Sequence, residues 1–284
     1  MKVLGLVASP RKLGNSEILA KEMLASLPDE VEKMMIRLTD LDIKQCSACY
    51  ACLPEDKDCV IKDDLGFLLE QIKAVDAVII ATPCYFLGTH TTLKLISDRL
   101  ISVLQQAKEF AGKKCVVAVS YGITGWEGYA REAAVNLARF FHLDVVGTML
   151  VHAASPGEVV KTEVLDQARR LASALVTGEQ EATRLPVHAC QLCGNTLLKL
   201  MPTGEVKCPM CGADGKIEVN EREFTVQFAI PRHNRFSPEG MTEHGKTLEA
   251  IKNQYIAERH ELNKLRKPYQ HYNWWIKPES NEKN

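Results

Sequence analysis

Lys2-Val3-Leu4-Gly5-Leu6-Val7-Ala8 runs directly into Ser9-Pro10-Arg11-Lys12-Leu13-Gly14-Asn15-Ser16. The first seven residues are apolar and bounded by turn residues, the pattern of a strand buried on both faces. After Ser16, the residues Ile18, Leu19, Met23, Leu24 and Leu27 recur at helical spacing. The loop between strand and helix is built from small, hydroxyl-bearing and basic residues. Free backbone N–H groups and the positive end of a helix favour an anion there. Ser9, Arg11, Asn15 and Ser16 are the candidates to hold it, and phosphate is the expected ligand. No Gly-Lys-Ser/Thr ends the loop and no G-x-G-x-x-G runs through it, which disfavours ATP and a Rossmann-type dinucleotide. The alternative is an ordinary βα turn with Asn15 or Ser16 as N-cap.

The alternation continues. Apolar runs recur at Val31–Leu38, Asp76–Thr82, Lys114–Ser120 and Leu143–Val151, with helical patterns at Leu65–Lys73, Thr91–Gln106, Glu127–Phe141 and Val164–Val176. Five strands alternating with five helices predict an α/β domain over residues 1–178, a five-stranded parallel sheet with helices on both faces. Ligands of such open sheets lie beyond the carboxyl ends of the strands. Three loops should therefore converge: Ser9–Ser16, Pro83–Thr89 and Tyr121–Gly128.

Cys46, Cys49, Cys52 and Cys59 follow a C-x2-C-x2-C-x6-C spacing. Thiolates two residues apart can turn inward on one loop. Soft thiolates select an iron–sulfur cluster, zinc or Cu(I), and ferredoxin-type runs hold a cubane cluster with the same opening. Unliganded thiols are the other reading.

These motifs together resemble a family. Ser9–Ser16 is similar to the FMN-phosphate loop of the flavodoxin-like NAD(P)H-dependent FMN reductases. The quartet, followed by Val60-Ile61-Lys62-Asp63-Asp64-Leu65, looks like the compact motif of the iron–sulfur flavoproteins in that group. Ala81-Thr82-Pro83-Cys84-Tyr85-Phe86, then Leu93-Lys94 and Ser97-Asp98-Arg99, resemble the second flavin loop and the helix behind it. The resemblance covers about residues 1–175. Two departures stand out: the last cysteine interval is six residues rather than five, and Cys84 stands where a Val or similar residue more often precedes the Tyr. The resemblance implies FMN, a 4Fe-4S cluster on the quartet, and a homodimer or homotetramer. Pro83, Cys84, Tyr85, Phe86 and Leu87 would then wall the flat ring. Tyr121, Gly122 and Gly125 would approach it from the third loop, the glycines admitting backbone close by. Phe86 and Trp126 read equally as packing residues.

Other residues have plainer readings. His90 suits a helix start, with a bond to flavin or substrate as the alternative. Asp63 and Asp64 suit N-caps of the helix from Leu65. Asp98 and Arg99 suit a charge pair, and Cys115 a small apolar strand residue. Cys84 is either a packing residue or a redox-active thiol at the ring edge.

After a polar linker, Thr177–Leu185, comes a second expected domain over residues 186–219. Cys190-Gln191-Leu192-Cys193-Gly194 and Cys208-Pro209-Met210-Cys211-Gly212 form two knuckles with fourteen residues between them. A short hairpin, turning at Pro202-Thr203-Gly204, fits that gap. Four thiolates suit a closed structural zinc site, and a single iron would fit the same geometry. The segment resembles generic zinc ribbons. His188 reads as a neighbour of the site rather than a ligand. Residues 220–284 form a C-terminal extension with a strand expected at Phe224–Ile230 and a helix at Met241–Lys264. It ends in an aromatic tail, Tyr269 to Ile276. Such a tail should pack on its own domain or on a neighbouring subunit.

Composition sets the outer limits. Lys and Arg total 35 against 36 Asp and Glu, a net charge of −1 in 284 residues. Nothing there points to nucleic acid. No apolar run reaches membrane-spanning length, and the N-terminus enters a strand without a signal peptide. Ten cysteines, eight of them in two ligand-spaced quartets, suit a reducing cytoplasm better than a disulfide framework. The expected function is an FMN- and iron–sulfur-dependent oxidoreductase exchanging electrons between a ferredoxin-like carrier and an unidentified acceptor. One alternative is an NAD(P)H-dependent FMN or quinone reductase without a cluster. Another is a regulatory or scaffolding protein that uses the ribbon and tail.

Overall fold

The computed structural model describes residues 1–54, 57–104, 106–178, 186–220, 223–230, 234–272, 274 and 276. Most of the linker expected at Thr177–Leu185, and Trp275 of the tail, lie outside the described residues. The chain divides into two units, Met1–Gly245 and Lys246–Asn284.

In the first unit, strands β1 (Lys2–Val7), β2 (Glu32–Arg37), β3 (Ala77–Tyr85), β4 (Gly88–Thr89), β5 (Lys114–Tyr121) and β6 (Asp144–His152) alternate with helices. These are α1 (Asn15–Ala25), α2 (Leu65–Lys73), α3 (Thr91–Ser97), α4 (Ala107–Phe110), α5 (Ala130–Phe140) and α6 (Thr162–Thr177). The sheet order is β2-β1-β3-β5-β6, all parallel, with β4 added antiparallel to β3. This is the flavodoxin-like order, whose switch point lies between β1 and β3. The period of two along each strand divides the core. Leu4, Leu6, Val78, Ile80, Val117 and Val119 face α2, α3 and α5. Val3, Val7, Ile79, Ala81, Val116 and Ala118 face α1 and α6.

Two elements differ from expectation. The helix predicted over Thr91–Gln106 stops at Ser97 and gives way to a 3-10 turn at Leu100–Val103. The Ser97 hydroxyl donates to the Lys94 carbonyl and that of Ser102 to the Arg99 carbonyl, at 3.0 and 2.9 Å. Such back-bonding competes with the helical ladder. Pro83–Thr89 is not an irregular loop either. β3 runs on through Tyr85 and turns at Phe86 and Leu87 into β4. Both turn residues have positive φ, 47° and 68°, the geometry of a tight hairpin normally given to Asn or Gly.

The second cysteine-rich segment forms a four-stranded antiparallel sheet, ordered β10-β9-β8-β7, from β7 (Lys199–Leu200), β8 (Val206–Lys207), β9 (Asp214–Asn220) and β10 (Glu223–Phe228). β10 pairs with β9 along its length, so the sheet runs past the boundary expected at residue 219. It is fastened to α5. Both terminal nitrogens of Arg131 donate to the Gly194 carbonyl at 3.2 Å, and the Thr196 hydroxyl donates to Glu132 at 2.6 Å. Phe236 meets Phe140 edge-on at 5.5 Å.

Helix α7 (Pro238–Arg266) begins in the first unit. The second unit holds the rest of α7, a 3-10 turn at Lys267–His271 and the aromatic tail. Burial of the tail in its own domain is not observed. Tyr269 and Trp274 are 71% and 80% exposed. Tyr272 stacks on Trp274 at 4.6 Å. Among the described residues, no helix is long and apolar enough to cross a membrane.

Candidate active site and metal centres

A cleft of about 150 Å³ opens beyond the carboxyl ends of the strands, where the fold class places ligands. The first loop contributes Ser9, Arg11, Asn15 and Ser16 to its wall, and the β3 end contributes Pro83, Cys84 and Tyr85. Ser120 and Gly122 follow from β5. Ser16 is 2% exposed, and its Oγ is buried with no hydrogen-bond partner. A buried unpartnered hydroxyl is costly, and a phosphate oxygen would satisfy it. The expected N-cap role falls instead to Gly14, which has no side chain to offer. Arg11 is exposed at the rim.

Asn15 lines the cleft with its side chain already engaged. Its Nδ2 donates to the carbonyls of Ala153 and Ser155 at 3.1 and 3.0 Å, and its Oδ1 accepts from the Gly157 amide at 2.9 Å. Asn15 therefore clamps the loop after β6 against the phosphate loop. That loop adds Ala153, Ala154 and Pro156 to the wall. Sequence reading missed it, although Ala153-Ala154-Ser155-Pro156-Gly157 directly after a strand was the available signal.

Beneath the phosphate loop lies a second missed element. Arg37, at the end of β2, donates to the Ser9 carbonyl at 2.9 Å and to Glu17 at 2.7 Å. Glu17 accepts from the Leu13 amide at 2.6 Å and pairs with Lys21 at 2.7 Å. Burial pushes the Glu17 carboxyl up, but hydrogen bonds from Arg37, Lys21 and the Leu13 amide outweigh it and bring the pKa to about 2.

The expected ring wall is only partly assembled. Phe86 is fully exposed and Leu87 is 42% exposed, and neither lines the cleft. Tyr121 ends β5 with its ring 5.4 Å from that of His152, and Gly125 is exposed with φ of 79°. Trp126 is 59% exposed. The second and third loops nevertheless meet. The Tyr129 amide donates to the Leu87 carbonyl at 2.7 Å, and the Cys84 thiol donates to the carbonyls of Trp126 and Glu127 at 3.4 and 3.3 Å. Burial pushes the Cys84 thiol up, against any thiolate role. His90 is the N-cap of α3, its Nδ1 accepting from the Thr92 amide at 3.2 Å.

The first cysteine quartet lies on the loop after β2, at the same end of the sheet. Ala48 and Tyr50 take positive φ, 51° and 55°, which lets the backbone curl between successive cysteines. Burial pushes the Cys52 thiol up, and Cys59, Cys49 and Cys46 add to the shift, so the four sulfurs share one electrostatic neighbourhood. Among the described residues they are not drawn to the spacing of a single ion. A cubane links its four thiolates through several iron atoms, so its ligands stand further apart than those of one ion.

Asp63 and Asp64 close the base of this loop. Asp64 sits at the N-cap of α2 but its carboxylate accepts from the Asp42 amide at 2.7 Å, not from the helix. Asp63 accepts from the Lys44 amide at 2.8 Å and is paired with Arg99. The charge pair expected between Asp98 and Arg99 is thus replaced by Asp63–Arg99, while Asp98 pairs with Lys94. Burial pushes the Asp63 carboxyl up, but the Arg99 hydrogen bond and two backbone amides hold it below its ordinary value. A cleft of about 310 Å³ opens beside Cys59 and Arg99, floored by Leu65 and Leu69 of α2.

The second quartet is assembled. Cys190, Cys193, Cys208 and Cys211 are all buried, with their sulfurs within 4.8 Å of one another. The Cys190–Cys211 and Cys193–Cys208 sulfurs are 3.6 and 3.5 Å apart. A tetrahedron with Zn–S near 2.3 Å has edges of about 3.8 Å, so the donor set fits one tetrahedral ion. Mutual hydrogen bonds within the quartet push the Cys208 thiol down and the Cys193 and Cys211 thiols up, so the four sulfurs act as one set. His188 stacks on Phe224 at 6.4 Å and is not in the donor set.

Sequence and fold comparisons agree with this arrangement. An iron-sulfur flavoprotein of Methanocaldococcus jannaschii is 38% identical over 100 residues, covering 35% of this chain and 51% of that protein. One from Methanosarcina thermophila is 36% identical over 124 residues, covering 43% and 63%. The chain thus spans about half the length of the first of these relatives. A solved flavone reductase has the same fold over nearly the whole chain, with a TM-score of 0.74, 20% identity and coverage of 98% and 100%. The profile of the NADPH-dependent FMN reductases matches residues 1–156. That match spans more than half of the 284 residues, and the chain belongs to the NADPH-dependent FMN reductase family.

Proposed function

We propose that this protein is an FMN-dependent oxidoreductase in which a 4Fe-4S cluster on Cys46, Cys49, Cys52 and Cys59 exchanges single electrons with a ferredoxin-like carrier. The supporting observation is topological. β1 and β2 are adjacent and parallel, so the phosphate loop and the cysteine loop leave the sheet at the same end, side by side. Arg37, the last residue of β2 and nine residues before Cys46, holds the phosphate loop through the Ser9 carbonyl. When bound, FMN supplies hydride and single-electron chemistry at its ring. The chain's own residues place and shield it. Ser16 and Arg11 hold the phosphate end, Arg37 fixes the Ser9 and Arg11 carbonyls, Glu17 fixes the Leu13 amide, and Asn15 locks the opposite wall. Pro83, Cys84 and Tyr85 meet the ring side. The open cleft beside Cys59 gives an external carrier an approach to the cysteine loop. The ribbon quartet is read as zinc, a closed structural site braced on α5.

The test is anaerobic purification followed by iron, zinc and flavin analysis and by stopped-flow reduction. The reading expects one FMN and a broad absorption beyond the flavin bands, with reduction by reduced ferredoxin. Iron-free protein reduced only by NADPH would replace it with a second reading, an NAD(P)H-dependent FMN or quinone reductase. The family match itself favours that second reading.

A further inference from the structure

Among the described residues, Arg99 is the largest side chain that is fully buried, at 1% exposed. Its Nη2 donates to the Cys59 sulfur at 3.3 Å. Its Nη1 pairs with Asp63 and reaches the Lys44 carbonyl at 3.4 Å. Its Nε is buried with no partner. A buried ion pair gains little over a well-packed apolar pair, so stability alone does not account for a guanidinium here. Its placement does. Asp63 and Lys44 hold the two ends of the cysteine loop, and Arg99 enters from a different element, after α3, to meet the sulfur.

We propose that Arg99 is a positioning residue that raises the reduction potential of the group held by Cys46, Cys49, Cys52 and Cys59, acting through its hydrogen bond to Cys59. This rests on the cluster reading of the quartet given above. Reduction adds one electron and no proton, and breaks no bond. The added negative charge falls largely on sulfur, where an N–H donor and a fixed cation stabilise it. Hydrogen bonds to cluster sulfurs set potentials in this way. The buried Nε–H is a further donor that a sulfur-bearing group would satisfy. Asp63 fixes the guanidinium and lowers its net field, so the directional hydrogen bond is the larger contribution.

The experiment is a dye-mediated titration with dithionite as reductant, followed by electron paramagnetic resonance, on wild type and Arg99→Lys. Lysine keeps the charge opposite Asp63 but loses the planar fork. At the wild-type midpoint, the reduced-to-oxidised ratio of the variant should fall about tenfold, equivalent to 59 mV for one electron, with iron content unchanged. An unchanged ratio in an iron-replete variant overturns the proposal. Loss of iron in Arg99→Lys also overturns it, because Arg99 would then be a brace for the loop. Wild-type protein without iron refutes the cluster reading itself, a result seen before any variant is compared. Double resonance on wild-type protein labelled with nitrogen-15 arginine should show one guanidinium nitrogen coupled to the reduced cluster. Absence of that coupling overturns the proposal whether or not the variant folds.

Discussion

The side-chain amide of Asn15 donates to the carbonyl of Ala153 across 3.1 Å, tying the first residue of α1 to the loop after β6. Asn15 thus organises the wall of the cleft, whereas Ser16, beside it, has an unpartnered hydroxyl. The two residues should respond differently to removal. Asn15→Ala should loosen residues 153–157 and weaken FMN binding by about 2 kcal/mol, the scale of two or three lost hydrogen bonds. Ser16→Ala should weaken FMN binding by roughly 1 kcal/mol while stabilising the flavin-free protein, since it deletes a buried unsatisfied group and improves helix propensity. Fluorescence titration and thermal melting of the flavin-free forms check both. A lower melting point for Ser16→Ala would contradict the vacancy assigned to its hydroxyl.

Glu17 links the phosphate loop to acid stability. Its carboxyl is held at about 2 against an ordinary 4.5. A depressed carboxyl contributes stability that is fully present above the unfolded value and is lost as pH falls through the folded one. The window is therefore pH 4.5 down to 2, and the contribution is about 3 kcal/mol at neutral pH. Wild type should lose more stability than Glu17→Gln over that range. Urea midpoints at pH 6 and pH 3 measure the difference, and parallel losses in the two proteins would refute it.

Most of the sheet was legible because its strands are long, apolar and doubly covered. α2 falls at Leu65–Lys73 as the periodicity alone predicts. The phosphate loop was legible because a strand, a polar loop and a helix follow one another in sequence. Other features depended on contacts that no local pattern carries. Arg37 reaches Ser9 from 28 residues away and Asn15 reaches Ala153 from 138. Arg99 looked like the partner of Asp98 because the two are adjacent, but burial draws its side chain to Asp63, 36 residues back. The Phe86–Leu87 turn was hidden for the opposite reason. Its residues give no turn signal, and the hairpin forms because Gly128 and Tyr129 support it from another loop.

Gly128 makes that support possible. It has φ of 54°, and a Cβ there would overlap the backbone and side chain of Leu87. Gly128→Ala should push the Phe86–Leu87 hairpin away from the third loop and cost about 1–3 kcal/mol through strain at a positive φ. The Cys84 contacts to Trp126 and Glu127 would lengthen with it, so FMN affinity should fall too. Tryptophan fluorescence and a flavin titration report both changes. An unchanged Trp126 emission and affinity would show that the two loops do not depend on each other.

In the ribbon, Cys193→Ser should abolish metal binding and unfold the sheet from β7 to β10, because three thiolates cannot close the tetrahedral site. The Arg131–Gly194 and Thr196–Glu132 contacts to α5 would be lost as well. The flavodoxin-like core has its own two-sided hydrophobic interior, so FMN binding should change little. Metal analysis and limited proteolysis between residues 186 and 236 check this. Loss of flavin together with the metal would show that the ribbon completes the flavin site.

Cys49→Ser separates the two cysteine centres. Cys46, Cys49, Cys52 and Cys59 lie on one loop closed at its base by Asp63 and Asp64, whereas the ribbon quartet is a complete donor set by itself. Replacing one thiolate by a hydroxyl puts a hard, weak ligand where a soft one is needed, so the iron content should fall to background. The loop ends are held by Asp63, Asp64 and Arg99, so the fold should persist. The ribbon metal and bound FMN should remain, because the cleft is built from β1, β3, β5 and β6. Reduction by a hydride donor uses the flavin alone and should survive. Reduction by ferredoxin requires single-electron exchange and should slow by an order of magnitude or more once the relay is gone. Iron, zinc and flavin analysis, with stopped-flow reduction by each donor, decides the matter. Equal iron in wild type and variant, or an unchanged ferredoxin rate, would remove the quartet from the electron path.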